Sequence, residues 1–242
     1  MLQLPKTPKQ LLASVRQGDY AHPGEEAAIN LVLEYMTKSP DQLALDVGCG
    51  LGGTAKYIKD HGYGIPFGID IDKIAITYAK QKYPDIKFEL CDVTVASKSF
   101  NELFDIIYLF NSFYAFTDQQ LALSELSRLS KNSTQLIIFD YMMPFAIKQT
   151  PSPFAPESSI FARTNFTPIY QNTIEKLLSS AGWKMNLFID LGDKYTKWYR
   201  QLVLRLYQRK DRLISEFGRE LYQWAEESYS DLLSHLENKT LS

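Results

Sequence analysis

The feature that most constrains the fold is a glycine-rich turn inside the segment LALDVGCGLGGTAKYI, which spans Leu43–Ile58. Gly48, Gly50, Gly52 and Gly53 stand between an apolar run and a run with helical spacing. Glycines at such a turn permit positive φ angles and let a ligand lie directly on backbone N–H groups. The segment therefore predicts a strand, a ligand-binding turn and a helix in succession.

Short apolar runs alternate with helix-like runs along most of the chain. The predicted strands are Gln42–Val47, Ile65–Ile69, Ile86–Leu90, Phe104–Phe110, Thr134–Tyr141 and Lys184–Leu191. The predicted helices around them are Glu25–Met36, Gly53–Asp60, Lys73–Lys82, Asp118–Leu129 and Ile169–Ala181. Because the strands are apolar throughout, they indicate a parallel sheet covered by helices on both faces. We therefore expect an α/β fold, Rossmann-like and doubly wound, with a mostly parallel sheet of six or seven strands and a helical cap or lid.

A chain of 242 residues has the size of one large domain or of a domain with an added cap. The segment Met142–Phe166 is rich in Pro, Phe and Ser and indicates a loop or lid. From Tyr195 to Glu237 the pattern is helical with a break at Gly218, and these aromatic helices suit either a homodimer face or a cover for the active site. The expected single domain has a cap at 1–36, a cofactor-binding core at 37–141, a lid at 142–168, and a C-terminal strand and helices at 169–242.

Composition excludes several classes of function. The 26 basic and 28 acidic residues leave a formal net charge of −2, so the basic surface of a nucleic-acid-binding protein is not expected. We find no apolar run of about 18 residues and no secretory signal, and so expect neither a membrane span nor export. The two cysteines, Cys49 and Cys91, favour the reducing cytoplasm, and His22, His61 and His235 lack metal-ligand spacing.

Asp46 distinguishes between two cofactors that a glycine-rich turn can hold. Gly48, Gly50 and Gly53 satisfy the pattern G-x-G-x-x-G, which also occurs in dinucleotide-binding folds. A carboxylate two residues before the first glycine would face like charge beside a bound pyrophosphate, in a partly dry site. The same carboxylate is favourable beside an amino-acid ammonium. The turn therefore fits S-adenosylmethionine, which carries an ammonium, a sulfonium and no phosphate, better than NAD.

The segment D-V-G-C-G-L-G-G at Asp46–Gly53 resembles motif I of the class I S-adenosylmethionine-dependent methyltransferases. FGIDID, ELCDV and FDIIYLFNSF follow in the order and spacing of that family. The resemblance implies that Asp70 accepts hydrogen bonds from the ribose hydroxyls, that Asp92 accepts one from the adenine amino group, and that Ile71 lies against the adenine face. The cofactor-binding residues implied are Tyr20, Asp46, Gly48, Cys49, Gly50, Asp70, Ile71, Asp92, Val93, Phe110 and Asn111.

Within this family the segment order is similar to that of phosphoethanolamine, sarcosine and sterol methyltransferases, which act on small molecules. GDYAHPGEEA at Gly18–Ala27 resembles their cap, FDYMMP at Phe139–Pro144 their segment after strand five, and IDLGDKYTKWYRQLV at Ile189–Val203 their entry to the final helices. The chain departs from the phosphoethanolamine enzymes, since Asn111 replaces an Asp and Ala115 replaces a catalytic His four residues later. That catalytic pair is therefore not carried over, and a phosphobase substrate does not follow.

The expected reaction is an in-line transfer of the methyl group to an O or N atom of a small molecule, with no metal ion. The protein must align the acceptor, exclude water and remove a proton where needed. The rings that can hold an acceptor are Tyr20, Tyr108, Tyr114, Phe116, Tyr141, Trp198 and Tyr199, with Tyr114, Tyr141, Trp198 and Tyr199 expected to bind substrate. His22 and Tyr141 are the candidate catalytic residues, because each is expected in a loop beside the cofactor end of the sheet.

Three alternatives stay open at this point. Ala115 suggests an inactive module that binds S-adenosylmethionine without turning it over. A nicotinamide-dependent oxidoreductase is disfavoured by Asp46 and by the lack of a well-placed Tyr-x-x-x-Lys pattern. The segment Asn111–Tyr114 also invites comparison with the Asn/Asp-Pro-Pro-Tyr motif of enzymes that methylate amino groups of adenine or glutamine, but both prolines are missing.

Overall fold

The centre of the molecule is a parallel sheet. The computed structural model describes residues 6–144 and 167–242. Its strands are β1 (Leu43–Val47), β2 (Ile65–Asp70), β3 (Lys87–Leu90), β4 (Phe104–Phe110) and β5 (Ser130–Phe139). They are ordered β3-β2-β1-β4-β5, and every neighbouring pair is parallel. The chain winds outward from β1 to β3 and then crosses back to β4, which places the ligand crevice of such a sheet at the carboxyl ends of β1 and β4.

Helices surround this sheet. In the described residues they are α1 (Pro8–Arg16), α2 (Glu25–Leu33), α3 (Gly53–Asp60), α4 (Lys73–Lys82), α5 (Gln119–Arg128), α6 (Ile174–Ser180), α7 (Gly192–Gln208), α8 (Lys210–Phe217) and α9 (Arg219–Glu237). Short 3-10 turns occupy Val93–Lys98 and Phe113–Ala115. The break between α8 and α9 falls at Gly218, where φ is 90°, as the sequence predicted.

The side chains of β4 show how the two faces of the sheet are covered. Ile106, Tyr108 and Phe110 are buried in the cluster that includes α1, α2 and the C-terminal helices α7–α9. Ile107 and Leu109 are buried on the opposite face with α5 and α6. Successive side chains of a strand point to opposite faces, so a strand that is apolar at every position must be covered twice. The predicted doubly wound, Rossmann-like architecture is confirmed.

The sixth predicted strand, Lys184–Leu191, was wrong. These residues have no regular secondary structure, and the described residues form five strands rather than six or seven. Leu187 is 57% exposed and Phe188 is 40% exposed, so this apolar run does not enter the core. The Asp190 carboxylate accepts a hydrogen bond from the backbone N–H of Gly192 at 2.8 Å. This local turn leads directly into α7, and such a turn competes with extended pairing.

The first helix, α1, was missed by the sequence analysis although the sequence carries a signal for it. Thr7 Oγ1 accepts from the backbone N–H of Gln10 at 3.3 Å, and Gln10 Oε1 accepts from the backbone N–H of Thr7 at 3.0 Å. This reciprocal capping box, with Pro8 at the first helical position, starts the helix. At the other end, Arg205 donates to Val15 O, which ties the cap to α7.

The expected domain scheme remains a prediction. Most of the predicted lid lies outside the described residues, which resume at position 167. Four aromatic residues of the C-terminal helices, Tyr195, Tyr199, Tyr222 and Tyr229, are buried within the chain. Among the helices of the described residues, none has both the length and the hydropathy needed to cross a bilayer.

Candidate cofactor and acceptor site

The glycine-rich turn is held tightly at the carboxyl ends of the central strands. The backbone N–H groups of Gly48 and Cys49 both donate to Ile69 O, at 2.8 and 2.9 Å. Gly48 has φ of 79°, and a Cβ there would lie 2.8 Å from Ser112 Oγ and closer still to Ser112 Cβ. The turn is therefore fixed between the end of β2 and the turn that follows β4.

Gly48→Ala is expected to destabilise the protein by about 2 to 4 kcal/mol, because a left-handed backbone and an overpacked contact each add to the cost. Gly62→Ala is the matched control, since Gly62 has φ of 72° but its Cβ would meet nothing closer than Lys38 Cε at 3.6 Å. Urea unfolding of both variants separates the two causes. Equal losses of stability in the two variants would contradict the close packing inferred at Gly48.

Asp70 organises the end of β2. Its Oδ2 accepts from the backbone N–H of Gly50 at 2.8 Å, and its Oδ1 accepts from the backbone N–H of Asp72 at 2.8 Å. Lys9 of α1 reaches both oxygens, at 3.1 and 3.2 Å. The N-cap of α4 is Asp72, so Asp70 does not serve as the helix cap. Its buried carboxylate instead joins the glycine-rich turn, the end of β2 and the N-terminal cap.

Asp46 and Asn111 lie at the ends of the two central strands, β1 and β4. Both side chains are buried. Among the described residues, Asp46 Oδ2 has no hydrogen-bond donor and Asn111 Nδ2 has no acceptor. Burial, and next the charge of Asp70, hold the pKa of Asp46 well above its usual value, while the neighbouring Tyr108 hydroxyl acts in the opposite direction. A buried acceptor and a buried donor without partners are costly, and together they match the ammonium and carboxylate of an amino acid.

The remaining residues predicted to hold the adenosyl group lie along the ends of β2 and β3. Ile71 is 73% exposed, a position in which an apolar side chain is available to a ligand. Asp92 is also exposed. Its Oδ1 accepts from the N–H and the hydroxyl of Thr94, at 2.9 and 2.8 Å, so Asp92 caps the short turn that begins at Val93. No observation tests their cofactor roles, which stay predictions.

His22 is fully buried beneath the cap. Its Nδ1 lies 3.2 Å from Pro23 O and its Nε2 lies 3.2 Å from Thr54 Oγ1. The imidazole packs on Phe110, with ring centroids 4.6 Å apart. Burial lowers the pKa of His22 to about 3. The imidazole is therefore neutral at physiological pH, and both of its nitrogens have partners within the protein.

A cluster of aromatic rings covers the end of β5. We call it the tyrosine cluster; its members are Tyr114, Tyr141, Tyr195, Trp198 and Tyr199. The hydroxyls of Tyr141 and Tyr199 are hydrogen-bonded to each other. The Tyr195 hydroxyl donates to Asn111 Oδ1 at 3.3 Å. The structure thus brings all four predicted substrate-binding residues together and connects them to the candidate cofactor residue Asn111. Tyr20 lies outside this cluster, and its hydroxyl donates a hydrogen bond to Glu26 Oε1.

Asp140, which directly follows β5, was not singled out from the sequence. Its Oδ2 accepts from the backbone N–H groups of Phe113 and Tyr114, at 2.7 and 3.2 Å. Its Oδ1 accepts from the N–H of Tyr141 at 2.7 Å. Burial raises the pKa of Asp140 to about 7. The residue ties the turn after β4 to the tyrosine cluster, and its position at a strand end is the signal that could have found it.

The described residues hold no group of three His, Cys, Asp or Glu side chains that could ligate a metal ion. Both cysteines there are unpaired and buried. Burial raises the pKa of the Cys49 thiol well above its usual value, which leaves it a poor nucleophile. Cys49 therefore contributes its backbone to the turn.

Comparisons with known proteins agree with this geometry. Residues 45–138 match a family described as a methyltransferase domain. The chain is 28% identical to the methyltransferase YodH of Bacillus subtilis (strain 168) over 223 residues, 89% of this chain and 91% of that protein. It is 24% identical to a phosphoethanolamine N-methyltransferase of Triticum aestivum over 195 residues, 78% of this chain and 37% of the wheat protein. The chain thus spans less than half the length of that plant relative.

The fold is also that of solved structures. A Haemonchus contortus phosphoethanolamine N-methyltransferase 2, in complex with phosphomonomethylethanolamine and S-adenosylhomocysteine, superposes with a TM-score of 0.83. The match covers 97% of this chain and 56% of that one, at 14% sequence identity. At this identity the likeness shows the fold alone. The family resemblance drawn from the sequence motifs is confirmed by the profile match and by the relatives.

Proposed function

We propose that the chain, whose residues 45–138 match a methyltransferase-domain family, binds S-adenosylmethionine and transfers a methyl group to an O or N atom of a small molecule. The cofactor supplies a methyl carbon activated by a positively charged sulfur. The chain's own residues bind the cofactor, orient the acceptor and keep water out.

The observation that carries this proposal is a pair of buried side-chain atoms, at the ends of β1 and β4, that have no hydrogen-bond partner in the part of the chain that the structure describes. Asp46 Oδ2 is an acceptor for an ammonium and Asn111 Nδ2 is a donor for a carboxylate. A dinucleotide offers neither group and would bring a pyrophosphate toward Asp46 and Asp70, two buried acidic residues that already repel each other. We therefore favour the methionine end of S-adenosylmethionine between these two strands.

The other cofactor contacts extend the predictions made from sequence. Gly48, Cys49 and Gly50 offer their backbone to the cofactor, and Asp70 offers its carboxylate to the ribose hydroxyls. Ile71, Asp92 and Val93 would hold the adenine at the ends of β2 and β3. Tyr20 and Phe110 would close the site from the cap and from β4. These assignments are proposals that rest on placement at one edge of the sheet.

The tyrosine cluster is proposed to hold the acceptor. Burial raises the pKa of Tyr141 well above its usual value, so its hydroxyl is a hydrogen-bond donor at neutral pH rather than a base. We propose that Tyr141, supported by Tyr199, orients the acceptor atom. His22, with a pKa near 3 and both nitrogens occupied, suits positioning of the cap better than proton transfer.

Tyr141→Phe is expected to lower kcat/KM about tenfold to hundredfold while leaving cofactor binding unchanged, because it removes one buried hydroxyl from the acceptor side. The assay follows transfer of a labelled methyl group to a panel of amines, phenols and carboxylates, with phosphoethanolamine included. Tyr207→Phe, at a ring that is 49% exposed, is the control. Tight cofactor binding with no transfer to any acceptor would instead favour an inactive binding module.

We further propose that the protein works in the cytoplasm, in keeping with its unpaired cysteines. Its expected partner is the small-molecule acceptor. A homodimer remains a prediction, to be checked by the oligomeric state in solution.

A further inference from the structure

Arg16, the last residue of α1, is a buried cation that forms no ion pair with a carboxylate of the described residues. Its side chain is only 6% exposed. Its Nη1 donates to Tyr20 O at 3.2 Å, while its Nε has no hydrogen-bond partner in the part of the chain that the structure describes. No carboxylate of those residues forms an ion pair with it. Burying a guanidinium in this way is costly unless an anion completes its hydrogen bonding.

Glu25, the acidic residue that acts on Arg16 electrostatically, is paired with another arginine. Glu25 Oε1 lies 2.9 Å from Arg205 Nη2, and its effect on the pKa of Arg16 is smaller than the effects of Tyr229, Tyr199 and Tyr141. Arg209 adds a further positive charge nearby. Its Nη1 donates to the backbone carbonyl of Ser14, which lies in α1 together with Arg16, at 3.1 Å. The C-terminal end of α1 therefore carries more positive than negative charge.

The other groups around Arg16 are tyrosine hydroxyls. Its guanidinium carbon lies 5.6 Å from the centre of the Tyr229 ring, and it also interacts electrostatically with Tyr199 and Tyr141. The Tyr229 hydroxyl is buried and has no partner among the described residues. Burial raises the pKa of Tyr229 to about 12, so this hydroxyl keeps its proton and can donate it. An unpartnered guanidinium N–H and an unpartnered hydroxyl thus occur together.

We propose that Arg16 and the Tyr229 hydroxyl bind an anionic group of the methyl acceptor, either a carboxylate or a phosphate. This inference rests on the proposed function, because Arg16 interacts electrostatically with Tyr141 and Tyr199 of the tyrosine cluster. An acceptor with its anionic group at Arg16 extends through that cluster toward Asn111, where the methionine end of the cofactor is placed. Arg16 then selects acidic small molecules over neutral ones, since a neutral acceptor leaves the guanidinium unpaired.

The test measures thermal stability with inorganic phosphate and with acetate, each against sodium chloride at equal ionic strength. We expect one of the two anions to raise the melting temperature of the wild type, and this identifies the group as phosphate or carboxylate. Arg16→Met should weaken the binding of that anion at least tenfold. Tyr229→Phe, which keeps the ring, should weaken the binding of the anion by a smaller factor. Arg200→Met, at a side chain that is 58% exposed and paired with Glu237, should behave as the wild type.

A merely structural role for Arg16 predicts a different pattern. In that case Arg16→Met would lower the melting temperature in chloride and leave the response to both anions unchanged. If Arg16→Met does not fold, Tyr229→Phe decides the matter by the same comparison. Absence of any anion effect in the wild type would also overturn the inference.

Titration of the same variants with S-adenosylmethionine keeps the two proposals apart. We expect all of them to bind it as the wild type does, because none of the replaced side chains forms a hydrogen bond or ion pair with Asp46, Asp70 or Asn111, and Arg16 contacts Tyr20 only at its backbone carbonyl. Failure of the wild type to bind S-adenosylmethionine would contradict both the proposed function and the proposed role of Arg16 and Tyr229 in binding the acceptor. Cofactor binding without an Arg16-dependent anion would overturn only the inference drawn here.

Discussion

Asp70→Ala is expected to weaken S-adenosylmethionine binding at least about 100-fold, since charge-assisted hydrogen bonds contribute about 1.5 to 3 kcal/mol each. The proposed pair of bonds to the ribose hydroxyls would be lost. In the wild type, the Asp70 carboxylate accepts hydrogen bonds from the backbone N–H groups of Gly50 and Asp72. The substitution removes these two bonds, so the glycine-rich turn loses part of its support. Isothermal calorimetry with wild type and variant measures the effect.

Two controls separate the carboxylate from its surroundings. Lys9→Met removes the contact of Lys9 with Asp70 but keeps the carboxylate, and should bind the cofactor as tightly as the wild type or more tightly. Asp60→Ala removes an exposed carboxylate paired with Lys56, and should leave binding unchanged. If Lys9→Met reduces affinity as much as Asp70→Ala does, the ribose assignment is wrong and the ion pair itself matters.

Asp46→Asn is expected to change stability and cofactor binding in opposite directions. At pH 8 the variant should be more stable than the wild type by about 1 to 3 kcal/mol, because it removes a buried charge that Asp70 repels and whose Oδ2 has no hydrogen-bond donor among the described residues. The same variant should bind S-adenosylmethionine about tenfold to hundredfold more weakly, since the ammonium loses its acceptor. Urea unfolding and calorimetry on one preparation give both numbers.

The pH dependence of this difference has a definite sign. The pKa of Asp46 is raised in the folded protein from its usual value of 3.8, so the neutral form is favoured by folding. Its contribution to stability is present below pH 3.8 and is lost as the pH rises through the folded pKa. The advantage of Asp46→Asn should therefore grow from pH 4 to pH 8. An advantage that stays constant, or a loss of stability at pH 8, would contradict the account; Asp60→Asn is the control.

The residues at the strand ends could be predicted from sequence, because their positions follow from the order of strands and from one motif. Asp46, Asp70 and Asn111 each come at or just after the end of an apolar run, and parallel strands bring such positions to one edge. That Asp46 Oδ2 and Asn111 Nδ2 lack hydrogen-bond partners among the described residues could not be predicted. That property depends on which side chains the cap and the C-terminal helices bring near, over long sequence separations.

The arrangement of the residues proposed to bind the acceptor could not be predicted from the sequence. Aromatic residues are frequent throughout the chain, and only the packed structure shows that Tyr141 pairs with Tyr199 rather than with Tyr108. Arg16 gave no signal, since a lone arginine in an unassigned segment is most often exposed. The capping box at Thr7 would have revealed α1, but not that its last side chain is buried. The run Lys184–Leu191 was wrongly predicted as a strand, because an apolar run forms a strand only where a neighbouring strand is available to pair with it.

We propose that the crevice between β1 and β4 binds a cationic amino-acid cofactor rather than a dinucleotide. Calorimetric titration of the wild type with S-adenosylmethionine, S-adenosylhomocysteine, NAD and NADP tests it most directly. The account predicts binding of the two adenosyl compounds alone. Binding of NAD or NADP in their place, or of none of the four, would contradict it.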